Sequence, residues 1–181
     1  MTRSDPLAVA AGVSVQPLPP SRWPEYKSLR LLALMSDPHA FGSSYEREAA
    51  FGDELWSQRL AEHRNGRSWT FFAEAHDTGL VGMISGFRTG EDLARRAVHV
   101  YAMFVAPQAR GRGVARALMA RLLEELSSEG GIGLASLEVN TEQQGAVRLY
   151  RSFGFTVEET TLQTMGDGAQ HLSARMAKLL A

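Results

Sequence analysis

One stretch of the sequence joins a β-rich run, a glycine-containing turn and an amphipathic helix. Residues 98–105 favour a strand, Pro107 ends it, and the turn Gly-Arg-Gly follows at residues 111–113. Apolar side chains then recur at helical spacing over residues 115–126, as in a helix that packs one face on a core. A strand that leads directly into such a helix must bury its apolar side against it. The succession therefore predicts a sheet covered by helices.

The junction between this strand and this helix has the features of a phosphate site. Glycines leave the backbone N–H groups bare at the start of a helix, where those groups carry partial positive charge. Arg110, Arg112 and Arg116 add full positive charges. A P-loop is excluded because no glycine precedes a lysine, and a dinucleotide fingerprint is excluded because its third glycine position is Arg116. A surface turn that only starts a helix is the alternative interpretation.

Composition narrows the class of function. A net charge of −1 argues against a nucleic-acid partner, because such proteins normally carry an excess of basic residues. The sequence has no cysteine, which excludes a disulfide framework, a thiolate nucleophile and cysteine-ligated metals. Its scattered histidines lack metal-ligand spacing, so no metal site is expected.

Length and hydropathy predict a single domain without a membrane segment. A chain of 181 residues fits one domain, and no run approaches the roughly 18 apolar residues that would span a bilayer. Residues 1–11 lack the pattern of a signal peptide. We therefore expect a flexible tail over 1–11, one domain over 12–181 and a cytoplasmic location.

The remaining patterns indicate an α/β fold of the α+β type. Residues 88–96 are expected to form a solvated loop. The order βααβββαβαββ predicts a mixed, mostly antiparallel central sheet with helices on both faces. Four helices are predicted: one capped by Ser21, one capped by Asp53, one over 115–126 and one that ends at Gly154. The predicted strands cover 13–18, 69–74, 80–87, 98–105, 134–139, 155–162 and 170–176.

Two motifs resemble the signatures of the GNAT N-acetyltransferase superfamily. One is Gln108-x-x-Gly111-x-Gly113, which resembles the loop that holds the pyrophosphate of acetyl-CoA. About thirty residues later come Leu137-Glu138-Val139 and then Ala146-x-x-Leu149-Tyr150-x-x-x-Gly154-Phe155. The match covers residues 69–157, and the flanking elements agree in type. The resemblance implies a bacterial N-acetyltransferase of this fold, with acetyl-CoA as co-substrate and no metal.

The resemblance also implies where the coenzyme lies. In such enzymes the strand at 98–105 splays away from the strand at 134–139, and pantetheine occupies the gap. Many members carry asparagine where this chain has Gln143, whose amide offers the same donors and acceptor on a longer stem. The residues assigned to the coenzyme are Met103, Phe104, Val105, Gln108, Arg110, Gly111, Arg112, Gly113, Val114, Ala115, Arg116, Gln143 and Tyr150.

Three residues are candidates for proton transfer. Tyr150 matches the family tyrosine that hydrogen-bonds or protonates the departing thiolate, and a core aromatic is its alternative interpretation. Glu138 resembles the glutamate base of the branch that acetylates ribosomal-protein N-termini, although an ion-paired strand glutamate would look the same. His99 is the rival base, because imidazole titrates in the useful range. It ranks second to Glu138, since a lone histidine on a strand is more often structural. Strand alternation predicts that His99, Tyr101 and Met103 share one face.

The resemblance implies that acceptor choice lies in the first two helices, the loop between them and the closing hairpin. Phe41 and Tyr45 are candidate groove walls, and Glu46 and Glu48 are candidates for attracting a cationic amine or for a solvated helix start. The leading hypothesis is acetyl transfer to a small amine or amino-acid-like acceptor by direct attack. The alternatives are a protein N-terminal or lysine acetyltransferase and a non-catalytic acyl-CoA sensor. The resemblance also makes a homodimer through the closing strands plausible.

Overall fold

The computed structural model describes residues 12–180, so the tail predicted for residues 1–11 lies outside the described residues. Short 3-10 turns precede α1, α2 and α5. The strands and helices, in chain order, are β1 Val13–Gln16, α1 Trp23–Ser36, α2 Tyr45–Ala49, α3 Asp53–Ala61, β2 Ser68–Ala75, β3 Gly79–Phe87, α4 Gly90–Ala94, β4 Ala97–Val105, α5 Val114–Ser128, β5 Leu134–Asn140, α6 Gln144–Ser152, β6 Thr156–Thr164 and β7 Gln170–Leu179.

The strands form one seven-stranded sheet in the order β1-β2-β3-β4-β5-β7-β6. Every neighbouring pair is antiparallel except β4 and β5, which are parallel. This confirms the predicted mixed, mostly antiparallel sheet. The β4–β5 ladder stops at Val100 and Leu137. Beyond that point the two strands separate, so the backbone of β4 lacks a β5 partner along its last five residues.

Helices cover both faces of this sheet. The face that we call the α5 face carries the larger cluster, in which Leu118 and Leu122 of α5 pack with Val98 and Val100 of β4. On the opposite side, called the α1 face, residues of α1 and α3 pack with Phe104 and its neighbours. Alternation along β4 and β5 then places His99 and Glu138 on the α1 face, because their flanking residues belong to the α5 face.

A β-bulge interrupts β4 at the point where the strands part. Met83 pairs with Phe104 and Ser85 with Tyr101, so two residues of β4 oppose Ile84 alone. Ala102 has a φ of 54°, in the left-handed region. The extra residue reverses the alternation. Met103 therefore packs against the α5-face cluster with Val98 and Val100, and the prediction that it shares a face with His99 and Tyr101 is wrong.

Two short helices occupy stretches that the sequence analysis did not assign to helix. The loop predicted over 88–96 contains α4, whose first turn is closed by reciprocal hydrogen bonds between Thr89 and Asp92. Helix α2 begins after Ser44, whose side chain accepts from the Arg47 backbone. Each helix has five residues, too few for an apolar period to be visible. The predicted caps also move by a residue, to Arg22 for α1 and Gly52 for α3.

Candidate active site

A cleft of about 560 Å³ opens where β4 and β5 separate. It runs from the end of α1, along the end of β4 and the turn before α5, to the start of α6. Most of the residues predicted to hold the coenzyme line it, whereas Gln108, Arg112 and Tyr150 do not. The predicted residues that line the cleft are Met103, Phe104, Val105, Arg110, Gly111, Gly113, Val114, Ala115, Arg116 and Gln143. Residues that the sequence reasoning missed are Asp37, Ala40, Ala109, Gly145, Ala146 and Leu149.

The turn before α5 presents bare backbone to this cleft. Gly111 and Gly113 have φ angles of 75° and 80°, which favour glycine, and no atom lies within 4 Å of where either Cβ would sit. Gly113 caps α5 without a side-chain hydrogen bond, and the first turn has no acidic residue. The first N–H groups of a fifteen-residue helix are therefore free to donate to an anion.

Two of the three predicted arginines are held at the rim of the cleft by other residues. Arg110 donates to the Asp37 carboxylate at 2.5 Å and to the Val105 carbonyl at 3.0 Å. Arg116 donates to Ser152 Oγ at 3.0 Å and lies 5.2 Å from the Phe153 ring centre. These contacts fix both guanidinium groups beside the helix start. Arg116 adds positive charge to the site, whereas the charge of Arg110 is paired with that of Asp37.

A second cavity, the side pocket, has a volume of about 270 Å³ and adjoins the cleft. The cleft and the side pocket meet at four shared residues, Ala40, Met103, Gln143 and Ala146. All three predicted proton-transfer residues line the side pocket, and so does Phe41. Tyr45 lines neither cavity and starts α2 with 36% of its surface exposed. The unpredicted polar residues of the side pocket are Arg30, Asn140 and Gln163.

Tyr150 projects from α6 on the α5 face. It is 7% exposed, and its ring packs edge-on against Phe155 at 6.2 Å. Burial raises the pKa of the Tyr150 hydroxyl to about 12. A phenol with that pKa stays protonated at neutral pH and can donate a hydrogen bond to an anion formed beside it.

His99 and Glu138 approach the gap from the α1 face. His99 is half-buried, and its Nδ1 lies 3.5 Å from Ser136 Oγ. Burial lowers the pKa of His99, and the charge of Glu138 opposes this shift. The imidazole is therefore neutral at neutral pH and able to accept a proton. Glu138 is exposed and faces Arg175 across the β5–β7 ladder.

Gln143 lies at the junction of the cleft and the side pocket, and its side chain caps no helix N–H. The nearby Asn140 is occupied by the chain itself: its amide donates to the His39 carbonyl at 3.1 Å and its oxygen accepts from the Glu142 backbone at 2.9 Å. Gln143, rather than Asn140, is therefore the amide left open to a ligand.

Two negative findings apply to residues 12–180 only. None of the helices there is both long enough and apolar enough to cross a membrane. Over the same residues, no three acidic, histidine or cysteine side chains are grouped as metal ligands would be.

Comparison with known proteins places this architecture in a family. Residues 27–155 match the model of the acetyltransferase (GNAT) family. A mycothiol acetyltransferase from Brachybacterium faecium is 31% identical over 157 residues, which is 82% of this chain and 47% of that protein. The chain thus spans about half the length of this curated relative.

Solved structures repeat the fold at low sequence identity. A GNAT-family acetyltransferase from Streptococcus pneumoniae superimposes with a TM-score of 0.81 at 18% identity, covering 93% of this chain and 99% of that one. A phosphinothricin acetyltransferase from Sinorhizobium meliloti, solved with acetyl-CoA, gives 0.77 at 16% identity over 94% of this chain and 89% of that one. With a family model that matches most of its length, this chain belongs to the acetyltransferase (GNAT) family.

Proposed function

We propose that this chain is an N-acetyltransferase that moves an acetyl group from acetyl-CoA to the primary amine of a small or amino-acid-like acceptor. The observation that carries the proposal is the arrangement of proton-transfer groups around the gap in the sheet. His99 and Glu138 reach the gap from the α1 face, and Tyr150 reaches it from the α5 face. A base for the incoming amine and an acid for the leaving thiolate therefore stand on opposite sides of one opening.

The cleft fits the chemistry of acetyl-CoA. Phosphate oxygens need N–H donors and positive charge, which the start of α5 and Arg116 supply. The unpaired end of β4 offers backbone donors along the gap, suited to pantetheine and to the acetyl oxygen as it gains negative charge. Bound acetyl-CoA would supply the acetyl group as a thioester.

The residues then divide the reaction between them. His99 takes a proton from the acceptor ammonium, and Glu138 stabilises the imidazolium that results. The amine nitrogen bonds to the acetyl carbon, the carbon–sulfur bond breaks, and Tyr150 gives its proton to the sulfur. The second proton of the attacking nitrogen is released as the amide forms and restores the Tyr150 hydroxyl. This chain has no cysteine to carry the acetyl group, so direct attack with both substrates bound is the route it supports. The name of the relative, mycothiol acetyltransferase, agrees with a small-molecule acceptor.

A panel of amines and short peptides tests the function. Release of CoA thiol is followed with a thiol reagent while each acceptor is added to the protein and acetyl-CoA. We expect acceleration by small amines and little by peptides. If calorimetry shows tight binding of acetyl-CoA but no acceptor raises the rate, the chain is an acyl-CoA sensor and the proposed function is wrong.

The phosphate turn predicts a loss of coenzyme affinity in Gly113→Ala. The left-handed φ of 80° costs about 1–2 kcal/mol for any residue with a Cβ, so the turn will shift. We expect the Kd for CoA to rise roughly tenfold, measured by calorimetry. Gly90→Ala is the matched control, because Gly90 also begins a helix in open space but without a positive φ. A Kd within about twofold of the original would contradict this use of the turn.

The pH–rate profile separates the two candidate bases. A base must be unprotonated, so kcat/KM should rise with pH through the pKa of His99, which burial holds below its ordinary value of about 6.5. His99→Gln should remove this rise, the acidic limb of the profile, and lower kcat/KM by a factor of roughly 10²–10⁴. Glu138→Gln should move the limb to still lower pH, because the charge that raises the pKa of His99 is gone. If the limb survives in His99→Gln and disappears in Glu138→Gln, Glu138 is the base.

A further inference from the structure

Arg30 is a buried cation in the wall of the side pocket. Its residue surface is 7% exposed, and its guanidinium lies 4.9 Å from the ring centre of Phe41. Nε and Nη2 donate to the two carboxylate oxygens of Glu48 at 3.0 and 2.6 Å. Nη1 is buried and has no hydrogen-bond partner. A buried N–H of a charged group without an acceptor costs free energy, so this wall is incomplete without another acceptor.

The charges around Arg30 do not balance. Glu48 also faces Arg59, at 3.6 Å, so one carboxylate is shared by two guanidinium groups. Burial raises the pKa of Glu48, but Arg30 and Arg59 outweigh it and the net shift is downward. Glu48 is thus ionised, and the cluster keeps one net positive charge. Of its two cations, only Arg30 lines the side pocket.

The titratable groups of the side pocket have a different character from Arg30. His99 and Glu138 also line it, and they supply a proton acceptor and a negative charge that suit an ammonium group. Gly42 lies next to Phe41 in the wall, and no atom is found within 4 Å of where its Cβ would sit. Space is therefore open beside the ring that covers Arg30.

We propose that Arg30 binds a carboxylate of the acceptor, so that the side pocket takes a molecule carrying both an amine and a carboxylate. This inference rests on the proposed acetyltransferase function and names the class of acceptor within it. The ammonium lies toward His99 and Glu138, and the carboxylate pairs with the charge of the Arg30 guanidinium. Arg30 is a specificity-determining residue in this arrangement and takes no part in proton transfer.

Matched pairs of acceptors test the inference. Each α-amino acid of a panel is compared with its primary amide, which keeps the amine and side chain but has no carboxylate. We expect kcat/KM to favour the acid roughly 10- to 100-fold, the range of one charge-assisted hydrogen bond. In Arg30→Met/Glu48→Gln the ratio should fall close to one. The double substitution avoids leaving Glu48 without its main partner, and its circular dichroism and melting temperature report folding.

Two single variants serve as controls. Arg59→Met removes the other cation of the cluster, which does not line the side pocket, and should leave the ratio of acid to amide unchanged. Glu48→Gln keeps Arg30 charged and should also preserve the preference for the acid. A general loss of structure would lower both rates together and leave their ratio alone.

Product binding gives a readout without turnover. N-acetyl amino acids and their amides are titrated by calorimetry in the presence of CoA, and we expect the acids to bind roughly tenfold more tightly to the native protein. The inference is overturned if amides react or bind as well as acids, or if the folded double variant keeps the preference. If the acids bind preferentially but no amine is acetylated, the proposed function is wrong while the role of Arg30 stands.

Discussion

Replacing Tyr150 with phenylalanine is expected to lower kcat by at least roughly 100-fold, the usual contribution of one positioned acid. The substitution removes only the hydroxyl, so the ring keeps its edge-on contact with Phe155. The Kd for acetyl-CoA should change little, because the cleft that holds it is lined by other residues. Steady-state kinetics by thiol release and calorimetry with CoA separate these two quantities.

Tyr26→Phe is the matched control for this prediction. Tyr26 is also a buried tyrosine whose pKa burial raises, but it lines neither the cleft nor the side pocket. Its loss should leave kcat unchanged. A further check comes from pH: with a pKa of about 12, Tyr150 should cause no decline in rate between neutral pH and about pH 10. An unchanged kcat in Tyr150→Phe would contradict the role of Tyr150 as the acid.

Truncating Leu118 to alanine should give the largest loss of stability, about 2–5 kcal/mol. Leu118 is the fifth of the fifteen residues of α5, is fully buried and packs beneath β3, where its Cδ1 would lie 3.0 Å from a Cβ on Gly82. The neighbours cannot collapse into the space, because the backbone of β3 already approaches closely here. Chemical denaturation measures the free energy of unfolding.

Leu32→Ala is the control for the stability measurement. Leu32 sits on α1 with 36% of its surface exposed, so its truncation should cost under about 0.5 kcal/mol. If the two variants lose similar free energies, α5 does not anchor the sheet in the way described. Because α5 begins at the phosphate turn, Leu118→Ala should also weaken CoA binding at temperatures where the helix opens.

Sequence patterns predicted the long elements closely. The strand expected at 98–105 covers Ala97–Val105, and the helix expected at 115–126 lies within Val114–Ser128. Prediction from a long apolar period succeeds because burying a whole face of a helix or strand outweighs the conformational preferences of single residues. The predicted lining of the cleft came from the resemblance to two motifs, whose residues lie close together in sequence. Asp37 and Ala40 reach the cleft from another part of the chain and were missed.

What the sequence reasoning missed depends on contacts between distant residues. Tyr26, Arg30 and Leu34 follow one another at four-residue spacing on the buried face of α1. A charged residue among apolar ones on such a face indicates a buried partner of opposite charge, and this was the signal in the sequence. Glu48, a candidate for attracting the amine, is that partner and is 4% exposed. The bulge at Ala102 left no mark in the sequence, because an inserted residue is recognised only against the strand it faces.

The bulge divides β4 into two parts whose side chains alternate in opposite senses. One additional residue in the backbone sends His99 to one side of the sheet and turns the following Met103 and Val105 to the other. Substitution at Ala102 changes a side chain, but deletion would reset the count and exchange the two sides for every position from 103 onward. The number of residues in the bulge is therefore under tighter constraint than their identity: β4 tolerates a substitution at Ala102 better than its deletion.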